Sequence, residues 1–121
     1  MRMLAIGAVL AVVMPFAAQA QEAGDAAAGE KAFAPCKACH NFQKNGVGPD
    51  LKGVVGRKAG TYEGYNYSAA LKNSGITWDE ANLHEWLKNP KAKVPGNKMI
   101  FQGIADDKKI NDLIAYLKTQ S

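Results

Sequence analysis

Apolar positions fall into helical register at three places along the chain. Near its end, Ile110, Leu113, Ile114 and Leu117 repeat at three- and four-residue intervals behind Asp106 or Asp107, either of which makes a good N-cap. Such a stripe needs an apolar partner. Near the start, Asp25 precedes a run of strong helix formers from Ala26 to Ala34, and Gly29 and Phe33, four apart, share a face. A glycine in an exposed helix interior costs about 1 kcal/mol against alanine. Gly29 therefore reads either as tolerated or as the point where another helix comes close, and the terminal stripe is the natural partner. The third register places Leu83, Trp86 and Leu87 on one face. Thr77-Trp78-Asp79-Glu80 opens it as a capping box, with Ile76 and Ala81 spaced for a hydrophobic staple, and Pro90 ends it. A shorter helix is predicted from Ser68 to Asn73, stopped by Gly75.

Between these helices the chain reads as loop. Asn45-Gly46, Gly48-Pro49 and Gly53 break the stretch 41–55. Residues 56–67 mix glycines with Tyr62, Tyr65 and Tyr67 and show no alternation long enough for a sheet. Val94-Pro95-Gly96 turns the stretch 91–103, with Met99-Ile100-Phe101 as an apolar landing. The first residues follow another pattern. Met1-Arg2-Met3 leads an apolar run from Leu4 to Ala18, interrupted only by Gly7 and Pro15, and then Ala18-Gln19-Ala20. This predicts a secretory signal peptide over residues 1–20, cleaved after Ala20, and a single domain over residues 21–121. The run is shorter than the roughly 20 residues a spanning helix needs, so an uncleaved anchor is the lesser alternative.

The chemistry is concentrated in Cys36-Lys37-Ala38-Cys39-His40. Two cysteines three apart at the end of a helical turn lie on nearly one side of the backbone, and the next residue is rotated so that its imidazole points between them. That order reads as covalent haem attachment, each thiol adding to one vinyl group and the histidine lying under the iron. Rival readings fit less well. A thioredoxin-like dithiol wants strand-helix-strand surroundings, a zinc site wants about four ligands, and a disulfide across two residues is short and strained. A domain of about a hundred residues buries only a modest core, and a flat apolar cofactor at its centre answers that shortage. Thioether attachment also suits an exported protein.

Charge narrows the function classes. The chain carries 15 Lys and Arg against 11 Asp and Glu, a net +4, and loss of Arg2 with the leader leaves it mildly basic. Arg57 is then the only arginine, and no nucleic-acid motif or aromatic-basic platform accompanies the lysines. Haem propionates demand donors, for which Arg57, Tyr67 and the Trp78 indole are candidates against the plainer reading of a solvated arginine and core aromatics. Trp86 packs on the cofactor or the core. A loop carbonyl near Pro49 is expected to take the second ring N–H of His40. For the sixth ligand, Met99 is the only methionine outside the leader, and its rivals are His84, a lysine, or no ligand. His84 falls toward the polar side of its helix and reads as a surface residue. His40 and Met99 together would fill both axial positions, leaving one-electron transfer as the task. Lys37, Lys88, Lys91, Lys93 and Lys98 gather in sequence around the two ligand segments and would steer an acidic partner there.

These segments resemble the class I cytochromes c of the mitochondrial and short soluble bacterial type. The likeness runs from Gly24-Asp25 through the attachment motif, Gly48-Pro49-Asp50-Leu51, Gly56-Arg57-Lys58, Gly75-Ile76-Thr77-Trp78 and Asn89-Pro90. It continues in Pro95-Gly96-Asn97-Lys98-Met99-Ile100-Phe101 and Leu113-Ile114-Ala115-Tyr116-Leu117. The resemblance implies a small all-α fold, three main helices plus short helices and loops around one covalent haem c. It implies that the first and last helices cross near Gly29, Phe33, Leu113 and Tyr116, and that the Pro49 carbonyl receives the His40 N–H. It also implies that Arg57, Tyr67 and Trp78 surround the propionates, with Phe101 among the haem contacts. Asn97, Trp86 and Leu71 stand where the family commonly has threonine, tyrosine and asparagine. The function implied is that of a monomeric periplasmic electron carrier, not an enzyme. It would shuttle between a quinol-oxidising membrane complex and a terminal oxidase, a reaction centre or another acceptor. The alternative is a haem sensor or peroxidase-like enzyme with a labile Met99, and a third reading is a module docked permanently to an enzyme.

Overall fold

The computed structural model describes Gly7 and residues 24–121; Gly7 apart, the predicted signal peptide and its cleavage after Ala20 lie outside the described residues. Two helices from opposite ends of the chain make the frame: α1 (Ala26–Ala32) packs across α5 (Asp107–Lys118). Gly29 is where they meet. A Cβ there would fall 1.9 Å from the main-chain oxygen of Asp112, so only a residue without a side chain lets the backbones come this close. Beside the crossing, the buried Phe33 ring lies 5.5 Å from that of Tyr116 and 5.0 Å from that of Phe42. Asp112, a buried carboxylate, fastens the joint. Its Oδ1 accepts the main-chain N–H of Asp25 at 2.8 Å, and its Oδ2 accepts from Lys108 Nζ at 2.9 Å. These two donors hold its carboxyl below the ordinary 3.8.

α1 stops at Ala32, short of the predicted Ala34, and the chain tightens into a 3-10 turn over Ala34–Ala38. Pro35 is the cause, since it has no N–H to return to a carbonyl one turn back. α2 (Ala69–Lys72) is capped by Ser68, whose hydroxyl accepts from Leu71 N–H at 3.2 Å.

α3 (Glu80–Lys88) begins two residues later than the Thr77 capping box predicts: Asp79 is the N-cap, its Oδ1 accepting from Asn82 N–H at 2.8 Å. Thr77 is unavailable because residues 76–78 are extended and paired with residues 56–59. Ala59 N–H donates to Ile76 O, Trp78 N–H to Arg57 O and Gly56 N–H to Trp78 O, around the isolated bridge between Lys58 and Thr77. Ala81, expected to pair with Ile76, is exposed. α4 (Pro90–Lys93), a single turn capped by Asn89, opens the stretch expected to be irregular. α3 packs on α5, and His84 helps to join them. Its Nε2 lies 2.9 Å from Asp107 Oδ1 and its Nδ1 3.2 Å from Asn111 Oδ1, so it is a tie between helices and not a solvated surface residue.

The fold is all-α, with no strand among the described residues beyond that one bridge. None of the described helices is long and apolar enough to cross a membrane. Ile110, Leu113, Ile114 and Leu117 turn inward from α5, and Leu83, Trp86 and Leu87 from α3. The loops 41–68 and 94–104 close over what remains between them, which is a hollow.

Candidate functional site

A cavity of about 340 Å³ occupies the middle of the molecule. Its floor is apolar: Phe33, Leu83, Leu87, Leu113 and Leu117 come from the three main-helix segments, and Leu71 closes it from α2. The Trp78 and Trp86 rings, centroids 5.2 Å apart, form part of the wall.

His40 follows the 3-10 turn, which returns its main-chain N–H to Cys36 O at 2.8 Å. The imidazole is buried, and its Nδ1 is 2.9 Å from the carbonyl of Pro49. A carbonyl only accepts, so Nδ1 carries the hydrogen and Nε2 keeps its lone pair for the cavity that the ring lines. Burial pushes the ring's pKa below the ordinary 6.5, the Pro49 bond partly opposing this, so the neutral, metal-binding form is favoured. Gly48 supplies the slot. A Cβ at that position would fall 2.4 Å from His40 Cε1, so the imidazole lies flat against bare backbone. Cys36 is half-buried on the wall, with its thiol pushed above the ordinary 9.0 by burial first and by Cys39 second. Cys39 is exposed and off the wall, and both thiols are free.

Met99 reaches the same cavity from the opposite end of the chain. One side chain makes three bonds within its loop: Asn97 Nδ2 donates to Pro90 O at 3.0 Å and Val94 O at 2.9 Å, while its Oδ1 accepts Met99 N–H at 2.9 Å. The polar part of the wall comes from Arg57, Tyr65, Tyr67, Ser68 and the Trp78 indole. Among the residues predicted for the site, Cys36, His40, Pro49, Arg57, Tyr67, Trp78, Trp86 and Met99 line the cavity. Cys39 and Phe101 do not. Phe101 N–H turns back to Met99 O, and the neighbouring Ile100 stands at the mouth, fully exposed. His84 lies away from the cavity, in its tie between α3 and α5.

The lysine group is thinner than its sequence positions predict. Lys88 pairs with Asp107 at 3.2 Å, and Lys93 pairs with Glu85 and donates to Asn82. Lys98 donates to Asn66 O and lies 4.7 Å over the Tyr65 ring, so it keeps its charge at the cavity mouth. Lys37 and Lys91 are exposed.

Sequence reasoning missed three side chains, one on this wall and two behind it. Tyr65 Oη donates to Val47 O at 2.7 Å, tying the two ends of the loop 41–68 together at the mouth. Asp50, almost fully buried at 1 % exposure, accepts from Tyr62 Oη at 3.1 Å. Only the density of tyrosines in residues 62–67 hinted at this, and nothing local pairs position 50 with position 62.

A cavity with an imidazole lone pair and a thioether on its wall, beside a Cys-x-x-Cys-His turn, is a haem site in outline. The family model described as Cytochrome c matches residues 26–121. The chain belongs to the cytochrome c family. It is similar to cytochrome c2 of Blastochloris viridis, at 51% identity over 98% of this chain and 93% of that protein. It is 55% identical to cytochrome c-550 of Nitrobacter winogradskyi over 78% of this chain and 89% of that one. Among solved structures, cytochrome cH from Methylobacterium extorquens superposes with a TM-score of 0.79 at 72% identity, over 79% of this chain and 99% of that one. Like other cytochromes c, the chain carries one covalently attached haem c with its iron, and it is an electron carrier and not an enzyme. The residues present fit that group: a hollow with an apolar floor, a histidine slot that a Cβ at position 48 would fill, and two free thiols one turn apart.

Proposed function

We propose that this cytochrome c is a periplasmic one-electron carrier. In this reading Cys36 and Cys39 hold the haem by thioethers, His40 and Met99 supply its two axial ligands, and the leader of residues 1–20 directs export. The observation that carries it is the cavity shared by Met99 and an imidazole whose Nδ1 is already bonded to Pro49 at 2.9 Å. Bound there, haem supplies a metal centre that gains and loses one electron.

The chain's own residues make that exchange easy to repeat. Pro49 fixes the imidazole's tautomer and raises its donor strength. Asn97 fixes the backbone of Met99, which favours a permanently filled sixth position over the labile ligand of a sensor or peroxidase. The leucine floor and the two tryptophans exclude water. Arg57, Tyr67 and the Trp78 indole offer N–H and O–H groups to the acidic edge of the cofactor. Partners are proposed to dock at the cavity mouth, where Val47 and Ile100 are exposed and Lys98 adds a cation, with Lys37 and Lys91 adding further exposed charge in the flanking segments. An acidic rim on a quinol-oxidising complex, a terminal oxidase or a reaction centre would complement them.

A redox titration with optical spectra of the exported protein tests the reading. Expected are one haem titrating with one electron, a weak sulfur-to-iron band in the oxidised form that Met99→Ala abolishes, and no carbon monoxide binding at neutral pH. Colourless protein, or a band unchanged in Met99→Ala, would overturn it.

A further inference from the structure

Arg57 and Tyr67 face the cavity, but what fixes them lies behind the wall. Arg57 Nη1 donates to Lys52 O at 3.2 Å and Nη2 to Asp50 O at 3.0 Å, and its guanidinium carbon sits 4.8 Å over the ring of Tyr62. Two backbone carbonyls and an aromatic face thus hold the planar fork, leaving its other N–H groups without a protein acceptor among the described residues. Tyr62 is itself tethered. Its hydroxyl donates to Asp50 Oδ2 at 3.1 Å, while Asp50 Oδ1 accepts from Lys52 N–H at 2.8 Å. The bond to Asp50, before any other influence, pushes the Tyr62 phenol above the ordinary 10.0, so it stays a donor. The same tyrosine acts on the second wall residue, because its main-chain N–H donates to Tyr67 Oη at 3.1 Å. That fills an acceptor position on the Tyr67 oxygen and leaves its proton free to be donated elsewhere.

An almost fully buried carboxylate is expensive unless its neighbours compensate it. Asp50 spends its two oxygens on Tyr62 and on the strand of chain that also holds Arg57, and neither Asp50 nor Tyr62 lines the cavity. We propose that Tyr62, tethered by Asp50, is a positioning residue that fixes the Arg57 guanidinium at the cavity wall and thereby sets the reduction potential of the bound haem. The proposal rests on the reading of Arg57 as a donor beside the cofactor. A cation held at the cavity wall would favour the reduced state of the bound group, and one free to swing toward water would favour it less.

The test is a double-mutant cycle on holoprotein, with reduction potential as the readout and circular dichroism and haem absorbance as checks on folding and loading. Tyr62→Leu removes ring and hydroxyl together, and Tyr62→Phe keeps the ring and cuts only the tether. Tyr62→Leu is expected to lower the equilibrium constant for reduction by about threefold, the size of effect produced when a charge near a protein surface retreats by a few ångströms. Tyr62→Phe should give a smaller shift of the same sign and carries the cycle if the leucine variant does not accumulate. In an Arg57→Gln background the shift should vanish, because the main-chain bond from Tyr62 to Tyr67 survives both substitutions. An equal shift in both backgrounds, or none in either, overturns the proposal. Absence of the methionine band from the parent protein would count against the ligand reading instead, since the cycle is read from potentials alone.

Discussion

Replacing Asn97 by alanine is expected to open the Met99 loop while leaving both proposed iron-ligating side chains in the sequence. The side chain makes three bonds, to Pro90 O, Val94 O and Met99 N–H, at 2.9 to 3.0 Å. A hydrogen bond of this kind contributes a net of about 0.5–1.5 kcal/mol, and because Asn97 is half-buried, water replaces part of what is lost. A loss of about 2–3 kcal/mol in the closed loop follows, which multiplies its open population roughly 30- to 140-fold. An external ligand binds only where the sixth position is vacant, so its apparent affinity rises by the same factor. The assay is a titration of oxidised holoprotein with imidazole, wild type against Asn97→Ala, following loss of the sulfur band. Hydrogen exchange over residues 94–101 should quicken in parallel. An imidazole affinity within twofold of wild type would refute the reasoning, and would mean that the loop is held by its packing and not by this amide.

Gly48→Ala should disturb the other ligand. The new methyl group would lie 2.4 Å from His40 Cε1, the ring must turn away from Pro49, and a cost of about 1–3 kcal/mol is expected; an unchanged haem spectrum and melting point would count against it. Gly29→Ala sets a methyl group 1.9 Å from a main-chain oxygen that has little room to retreat, so the melting temperature should fall by more than about 10 °C, read by circular dichroism. Asp112 carries a pH signature. Its carboxyl is depressed below 3.8 by Asp25 N–H first and Lys108 second, so the unfolded chain binds its proton more readily than the folded one. The resulting stability is present above the unfolded carboxyl range and is lost as the pH falls through the lower folded value. Asp112→Asn should therefore flatten the acid limb of stability against pH, as denaturant melts across that range would show.

The helices were legible where their signals are local. Asp25 caps α1 as the sequence predicts, the short helix expected over residues 68–73 forms as α2, and the α5 stripe turns inward residue for residue. The errors came where a distant segment competes for the same backbone. Thr77 has the spacing of an N-cap, but its stretch of chain is paired with residues 56–59, and Asp79 is the first side chain free to cap. His84 sits a step round from Leu83 and looked solvated, because the pattern along α3 says nothing of the Asp107 and Asn111 that α5 brings to meet it. Lys88 and Lys93 read as free charge for the same reason; their acidic partners are on α5 and one helical segment back.

The site divides along the same line, and the division bears on what distinguishes one member of a family from another. Cys36, Cys39 and His40 lie within one pentapeptide, and Met99 is singled out by being the only methionine beyond residues 1–20, so the proposed attachment and ligand residues could be picked from the chain alone. Their supports could not. Gly48 looks like a turn glycine until the imidazole is seen against it, and Asn97 looks like a turn residue until its amide is seen holding Pro90, Val94 and Met99. Asp50 and Tyr62 meet across twelve positions. A ligand is fixed by its own chemistry, but a potential is a sum over charges and dipoles whose separations only the fold defines. If the proposal for Tyr62 holds, chains sharing the attachment motif and the methionine differ in potential through residues such as Tyr62 that do not line the cavity. Exchanging Tyr62 and Asp50 as a pair should then move the potential while leaving the ligand bands where they are.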